Sequence, residues 1–279
     1  MRVERPYIVR TIWGQAKLVE PYLIWVIRCL AFAHFISSLE MLKCRWLLRE
    51  GELVSWSLIR AKMPVYLSPP LDKFFLSSRS EIVPWLRLAA SIWLLLRNDS
   101  LVALGILLLT TLIHQLRTCP IIPDTGDEFL LLVTATSFLQ ALPSFSLFGS
   151  PQYLQKAAFI FIIAQAVLSY FTAGCFKIRG GWGDGKFMLD LADCRLMVDQ
   201  KHGDFFKRNK WLLKPMEIQV VFMQIAAPGV FFLGPQFCYF FAAWSFIFHL
   251  LGSIGLGLRT FSHAYLALYP ALIWWASTH

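Results

Sequence analysis

The chain contains 279 residues, of which 57% are hydrophobic and only 15% are charged, and its mean hydropathy is +0.57. Soluble globular domains are about 25% charged, so this composition excludes an ordinary water-soluble enzyme and indicates an integral membrane protein. The 24 Phe and 11 Trp residues suit lipid-facing and interfacial positions. The length leaves room for one membrane domain, which we predict over residues 1–279.

Charge and cysteine content limit the classes of partner. The net charge is +9, and many of the basic residues fall in two polar segments, residues 43–79 and 177–214. This distribution favours attraction to anionic lipid headgroups over nucleic-acid binding. The six cysteines are scattered without a CxxC pair, so we expect no disulfide framework and no metal site. The first apolar run begins near Pro21, carries Arg28 and lacks a small-residue cleavage pattern, so we expect it to remain as the first span.

Apolar runs that are candidates to cross a bilayer recur along the chain. A spanning helix needs about 17–25 predominantly apolar residues, and lipid leaves no partner for an open backbone. The fold class we predict is therefore all-α, a polytopic bundle of about eight transmembrane helices, some of them short. The predicted spans are Tyr22–Leu39, Ile82–Leu96, Leu101–Leu116, Phe129–Phe148, Tyr153–Phe176, Ile218–Leu233, Phe237–Leu258 and Phe261–Ser277.

Two long polar segments interrupt these spans. Residues 40–80 contain MLKCRWLLREGELVSWSLI, which mixes Trp, Leu and charges at helical spacing and predicts an interfacial helix after the first span. Residues 178–215 are predicted as an interfacial or extramembrane loop. With eight spans both segments lie on the same side, and the positive-inside rule places them in the cytoplasm.

Several polar side chains fall at bilayer depth, where an ionisable group must face the bundle interior or water. One interpretation is hydrogen bonding between helices, and the other is a buried polar cavity. His249 is prominent because it follows an aromatic run and precedes the glycine-containing LLGSIGLGL, where helices can approach closely. The full set is Arg28, His34, Arg87, His114, Gln165, Gln224 and His249.

An acidic cluster, Asp124, Asp127 and Glu128, precedes the fourth span. Carboxylates at such a position cap a helix N-terminus and complement its dipole. We favour that interpretation over a metal site, which needs a tighter ligand set.

Lys177 stands at the end of the apolar run Tyr153–Phe176, directly before the turn IRGGWGDG. An amine at this depth either snorkels to the headgroups or faces the protein interior. Apolar neighbours such as Phe171 and Trp182 favour the neutral amine, which is the form that acts as a base on a lipophilic substrate. Spacing alone leaves both interpretations open.

Two motifs extend the argument. YFTAGCFKIRGGWGDG, residues 170–185, contains F-x-A-G-x-x-K followed by Trp182 and Gly185, and FHLLGSIGLGLRTFSHAYLALYP, residues 248–270, contains His249 and Phe261. In order and spacing they resemble motifs of the vitamin K-dependent gamma-glutamyl carboxylases and of the wider horizontally transferred transmembrane family.

The resemblance implies a chemistry and a set of site residues. Lys177 matches the base that deprotonates reduced vitamin K before its reaction with oxygen, and His249 matches a histidine of the buried site. It further implies reduced vitamin K or another quinone as cofactor, and a site toward the extracytoplasmic side, opposite to the side given by the charge rule. The predicted binding residues are Trp182, Gly185, Phe261, His114, Arg117 and Asp127.

The chain also departs from the carboxylases. Those enzymes continue into a large extramembrane region that helps bind propeptide and glutamate, whereas this chain ends at His279, so we do not expect carboxylation of a protein. Its length and the DTGDE pattern, residues 124–128, resemble instead a bacterial membrane component that helps mature a sporulation-delaying peptide toxin.

Three hypotheses follow for a multi-pass protein, expected in a bacterial cell membrane. In the first, it is a membrane-embedded catalyst or maturation factor that uses Lys177 as a base on a quinone-like or peptide substrate. In the second, it is a non-redox component that matures or exports a secreted peptide together with a partner protein. In the third, it is a lipid-binding scaffold without chemistry. Membrane lipids are expected partners in all three and nucleic acid in none.

Overall fold

The computed structural model describes residues 8–43, 56–61, 72, 75, 82–118, 125–142, 151–193, 200–256 and 263–279. Within these ranges every regular element is a helix, which confirms the all-α prediction. A helix pairs its own backbone donors and acceptors, as an apolar sequence in an apolar environment requires. The helices fall into two compact units, Ile27–Pro151 and a unit formed by Met1–Val26 with Gln152–His279.

In the unit Ile27–Pro151, α3 (Ile82–Leu96) is joined to α4 (Leu101–Thr118) by residues 97–100. α4 packs on α3 and also on α5 (Thr125–Ala141). α4 starts where the Ser100 Oγ accepts the Ala103 N–H at 3.2 Å, an N-cap bond. Leu94, Leu107 and Leu130 are fully buried in its core. Its helices are the end of α1 (Ile8–Lys43), α2 (Trp56–Arg60), α3 (Ile82–Leu96), α4 (Leu101–Thr118) and α5 (Thr125–Ala141).

In the other unit, α11 (Pro235–Leu256) packs most extensively on α12 (Leu268–Thr278). Phe159 of α6 (Pro151–Arg179) stacks on Trp274 of α12 with ring centroids 4.9 Å apart. Gly174 lets α9 approach α6 closely, because a Cβ there would lie 3.0 Å from the Gln224 Cβ. Besides the start of α1 and a 3₁₀ turn (Lys210–Leu212), the helices are α6 (Pro151–Arg179), α7 (Lys186–Asp193), α8 (Gln200–Arg208), α9 (Leu213–Ala226), α10 (Gly229–Phe232), α11 (Pro235–Leu256) and α12 (Leu268–Thr278).

Among the described residues, two helical stretches are long and apolar enough to cross a membrane, Pro21–Lys43 and Tyr153–Arg179. Two shorter apolar helices, Ile82–Leu96 and Leu101–Arg117, accompany them. These stretches match the first, fifth, second and third predicted spans in position. The figure of eight spans and the single domain over residues 1–279 stay predictions.

Several predicted boundaries differ from the structure, including those of the fourth and sixth predicted spans. The predicted span Ile218–Leu233 is two helices, α9 and α10, because Pro228 has no amide hydrogen with which to continue the helical ladder. The helix of the fourth predicted span, α5, begins at Thr125, four residues before the predicted start at Phe129. Residues 143–148 of that predicted span lie outside the described residues. Of the predicted interfacial helix after the first span, residues 44–55 also lie outside them, and Trp56–Arg60 is helical.

The polar segment 178–215, predicted as a loop, contains α7, α8 and the 3₁₀ turn. Its helices form because they have an apolar side to bury: Met188, Ala192, Phe206 and Leu213 make a small separate core. Sequence polarity concealed these helices, since the apolar residues are few and widely spaced. The helices described in this segment directly follow the turn after Lys177.

Candidate functional site

The turn after α6 is a helix C-cap that the local sequence encodes. The Trp182 N–H donates to the Lys177 carbonyl at 3.0 Å, and the Gly181 N–H donates to the Ile178 carbonyl at 3.2 Å. With Gly181 at φ +76°, this is the Schellman pattern of paired bonds around a left-handed glycine. The cap fixes the position of Trp182 relative to Lys177.

Lys177 is half-buried, and its Nζ lies 4.9 Å from the centroid of the Trp182 ring. A contact between these two positions is the usual companion of a Schellman cap, and here it is a cation–π contact when the amine is charged. The Phe187 ring stacks on the Trp182 ring, with the ring centroids 3.8 Å apart. Among the residues that the structure describes, Lys177 forms no ion pair.

Glu217 holds the rest of the turn from a distant helix. Its Oε2 accepts the N–H groups of Gly183 at 2.8 Å and Gly185 at 2.9 Å, and its Oε1 accepts the N–H of Met188 at 2.8 Å. The side chain is fully buried, and it sits at the N-terminus of α7, where the helix dipole favours an anion. This residue was missed in the sequence, although a lone carboxylate within the apolar stretch of α9 was the available signal.

A second carboxylate reinforces the same helix start from the surface. The Asp184 Oδ1 accepts the Lys186 N–H at 3.0 Å and Oδ2 lies 2.9 Å from the Lys186 Nζ. The backbone bond and then the ammonium lower the pKa of the Asp184 carboxyl. Asp184 and Glu217 thus cap α7 together, one exposed and one buried.

Gly185 is required by both conformation and space. It has φ +87°, and a Cβ there would lie 3.2 Å from the Lys214 amide nitrogen. Gly181 has φ +76°, but a Cβ added to Gly181 would meet no other atom within 4 Å. We predict that Gly181→Ala costs about 1 kcal/mol from the left-handed backbone alone, and that Gly185→Ala costs about 2–3 kcal/mol because steric displacement of α9 is added. Thermal unfolding of both variants measures the difference, and equal losses would contradict the close approach.

His249 lies in a buried aromatic cluster on α11. Its Nε2 shares a hydrogen bond with the Tyr170 hydroxyl, and its ring stacks on Tyr265 with centroids 4.5 Å apart. All three residues are at most 3% exposed. Tyr170 and Tyr265 were not predicted as site residues, although both fall inside the quoted motifs. The cluster gives His249 a fixed orientation and polar partners in an apolar surrounding.

Lys177 and Tyr170, which belongs to the His249 cluster, lie on the same helix, α6. Tyr170 precedes Lys177 by seven residues on α6, which places their Cα atoms about 10 Å apart along the helix axis. The predicted catalytic residues are therefore linked through α6, which carries Lys177 near its end and, two turns earlier, Tyr170, the hydrogen-bond partner of His249 on α11. A ligand that uses both would extend along this helix.

The unit Ile27–Pro151 contains a separate polar network. The Arg87 Nε–H donates to the His34 Nδ1 at 2.9 Å, so His34 carries its proton on Nε2 and donates it to the Thr134 Oγ1 at 2.8 Å. Thr134 in turn donates to the Leu130 carbonyl at 2.6 Å. Arg87, His34 and Thr134 are fully buried. The chain of donors fixes His34 as the neutral imidazole.

Three further predicted binding residues lie in this unit. His114 Nε2 is 3.4 Å from the Asp127 Oδ2, and the Arg117 guanidinium lies over the Phe75 ring at 5.4 Å from its centroid. Asp127 also attracts the charge of Arg87. Arg87, Arg117 and Asp127 are all buried. Their charges sum to one positive charge when His34 and His114 are neutral.

We predict that Arg87→Met lowers the free energy of unfolding by about 2–3 kcal/mol. The methionine keeps most of the volume but removes the donor to His34 and the charge that faces Asp127. Arg97→Met is the matched control because Arg97 is exposed in the turn after α3. Denaturant or thermal unfolding of the full chain in detergent compares the two, and equal stability would show that the network contributes nothing.

The predicted site residues thus divide between the two units. Lys177, Trp182, Gly185 and His249 lie on α6, its C-terminal turn and α11, and Phe261 lies outside the described residues. The others belong to the unit Ile27–Pro151 and are His114, Arg117 and Asp127. Their catalytic and binding roles stay predictions.

Comparison with family models, with curated proteins and with solved structures returns no match to this chain, so its site is defined by these contacts alone.

Proposed function

We propose that the chain is a multi-pass membrane protein of the carboxylase-like class, a catalyst or maturation factor that uses Lys177 as a base on a lipophilic quinone. The membrane location is supported by the stretches Pro21–Lys43 and Tyr153–Arg179. It is also supported by large apolar side chains that face outward, such as Leu96 at 79% and Phe232 at 81% exposure. In lipid such side chains carry no cost, whereas in water they would form a large apolar surface.

The observation that carries the proposed chemistry is the setting of Lys177. Its amine is half-buried against the Trp182 ring and, within the described part of the chain, has no carboxylate counter-ion. A lysine of this kind is available as a neutral amine, which accepts a proton from a hydroxyl of a reduced quinone. Reaction of the resulting anion with oxygen is the step that the carboxylase resemblance adds.

The rest of the site supports a flat, lipophilic substrate. Trp182 and Phe187 present stacked rings next to the amine, and Tyr170, His249 and Tyr265 form an aromatic cluster two turns earlier. Aromatic rings of the substrate pack well against such surfaces. The His249–Tyr170 pair supplies polar groups at the deeper end.

Mass spectrometry of small molecules retained by the purified protein tests the proposal. We expect a quinone at near-stoichiometric ratio in the wild type and also in Lys177→Ala, since the aromatic walls rather than the amine supply most of the binding. An unrelated multi-pass protein purified from the same membranes controls for passive carry-over. A quinone content equal to that of this control would overturn the proposal.

Peptide maturation or export is the second candidate, and Arg87 favours it. Its side chain is fully buried and, among the described residues, its Nη2 has no hydrogen-bond partner. A guanidinium with a free donor binds a carboxylate well, and a peptide carries one at its C-terminus. Co-purification of a small peptide precursor without a quinone would select this function.

A further inference from the structure

An open groove of about 690 Å³ runs between the start of α9 and the middle of α11. This volume falls within the range of sites that bind small molecules. It lies in the unit that contains Lys177, but Lys177 does not line it. The residues that line it include Lys210, Trp211, Lys214, Ile218, Phe222 and Trp244.

The groove has a charged end and an apolar end. Lys210, Lys214, Ile218 and Phe222 follow one another at intervals of four residues, which places them along one face of the helical segment. Lys214 and Phe222 are separated by about 12 Å along the axis of α9. Trp244 of α11 completes the apolar end, with its ring centroid 5.7 Å from that of Phe222.

The charged end of the groove carries the positive charges of two lysines, Lys210 and Lys214. Both lysines are exposed, and neither forms an ion pair with any residue that the structure describes. The lining contains no acid. Glu217, the nearest carboxylate in sequence, is committed to the N–H groups of Gly183, Gly185 and Met188. The groove therefore offers positive charge at one end and an apolar track beyond it.

We propose that this groove binds an anionic phospholipid. The headgroup phosphate lies between Lys210 and Lys214, and one acyl chain runs along Ile218 and Phe222 toward Trp244. A tryptophan such as Trp211 at the charged end is typical of the membrane interface. The proposal rests on the membrane location given under the proposed function, but it is independent of the chemistry of Lys177.

Binding of defined lipids to the full-length chain tests the proposal. Delipidated protein in neutral detergent is titrated with phosphatidylglycerol or phosphatidylcholine, and bound lipid is counted by native mass spectrometry. The double variant Lys210→Gln with Lys214→Gln is expected to bind phosphatidylglycerol roughly 30-fold more weakly, because each surface lysine contributes about a factor of five toward an anionic headgroup. Phosphatidylcholine binding is expected to change less than twofold.

Matched variants identify the two ends of the site. Lys186→Gln with Lys201→Gln removes the same charge from exposed positions on α7 and α8 and should leave both lipids unaffected. Phe222→Ala should weaken both lipids several-fold, whereas Phe232→Ala, which alters an exposed residue outside the groove, should weaken neither.

Equal phosphatidylglycerol binding by wild type and the Lys210/Lys214 variant would overturn the proposal. So would full displacement of the lipid by millimolar inorganic phosphate, since the site would then recognise a free anion. Failure of the quinone experiment leaves these lipid measurements unaffected, so the two proposals fail separately.

Discussion

Replacement of Lys177 by methionine is expected to reduce turnover of reduced vitamin K, or of another reduced quinone, by a factor of about 10²–10⁴, the usual contribution of a general base. Replacement by arginine is expected to reduce it as much. Arginine keeps the positive charge and the contact over the Trp182 ring, but its guanidinium does not give up a proton in a protein. The pair of variants therefore separates a base from a residue that only closes the helix cap.

The assay measures oxidised quinone products by mass spectrometry, using protein in lipid nanodiscs under air. Lys186→Met is the matched control, since Lys186 is exposed and paired with Asp184 on the same turn. Thermal unfolding of each variant establishes that it is folded and inserted. If the arginine variant keeps more than half of the wild-type rate, Lys177 acts through its charge and its packing, and the proposed base is wrong.

Replacement of Glu217 by alanine is expected to lower the free energy of unfolding by about 3–5 kcal/mol. The change leaves the N–H groups of Gly183, Gly185 and Met188 buried or half-buried without an acceptor, and each costs about 1–3 kcal/mol if water does not replace the carboxylate. Glu217→Gln should be intermediate, because its amide keeps one acceptor oxygen and turns a donor toward the remaining amide hydrogens.

Thermal unfolding in detergent and hydrogen exchange at Gly183, Gly185 and Met188 measure this effect. Asp190→Asn is the control, since Asp190 is an exposed carboxylate on α7. The Glu217→Ala variant should also lose quinone turnover, because the turn that holds Trp182 against Lys177 is no longer fixed. If the Glu217→Ala and Asp190→Asn proteins are equally stable, water or another acceptor replaces the Glu217 carboxylate at these three N–H groups, and the expected loss of stability is wrong.

Helix positions were largely predictable where apolar runs are long and uninterrupted. Ile82–Leu96 has the predicted bounds, and the predicted run Tyr153–Phe176 lies within α6. Prediction was weaker where a local break or a small apolar face matters. Pro228 divides one predicted span, and the helices of segment 178–215 bury only a few apolar side chains.

The site was only partly predictable, because its polar partners come from distant parts of the chain. Tyr170 meets His249 across 79 positions, and His34 meets Thr134 across 100. In a helix that is apolar on all sides, composition does not show which face turns inward, so the sequence marks a histidine as buried without naming its partner. For the same reason Arg87 was recognised as a polar group at bilayer depth, but its bond to His34 was not.

The amino-acid order alone specified an all-helical chain and the cap after Lys177, because a Schellman turn depends on contacts within six consecutive residues and on glycine at one of them. The tertiary structure brings Glu217, which lies 34 positions after Gly183 in the sequence, into hydrogen-bonding contact with that turn. It also places Lys210, Lys214 and Trp244 around one groove. These contacts depend on how α9 is rotated against its neighbours, and that rotation is set by packing between helices that are far apart in the sequence.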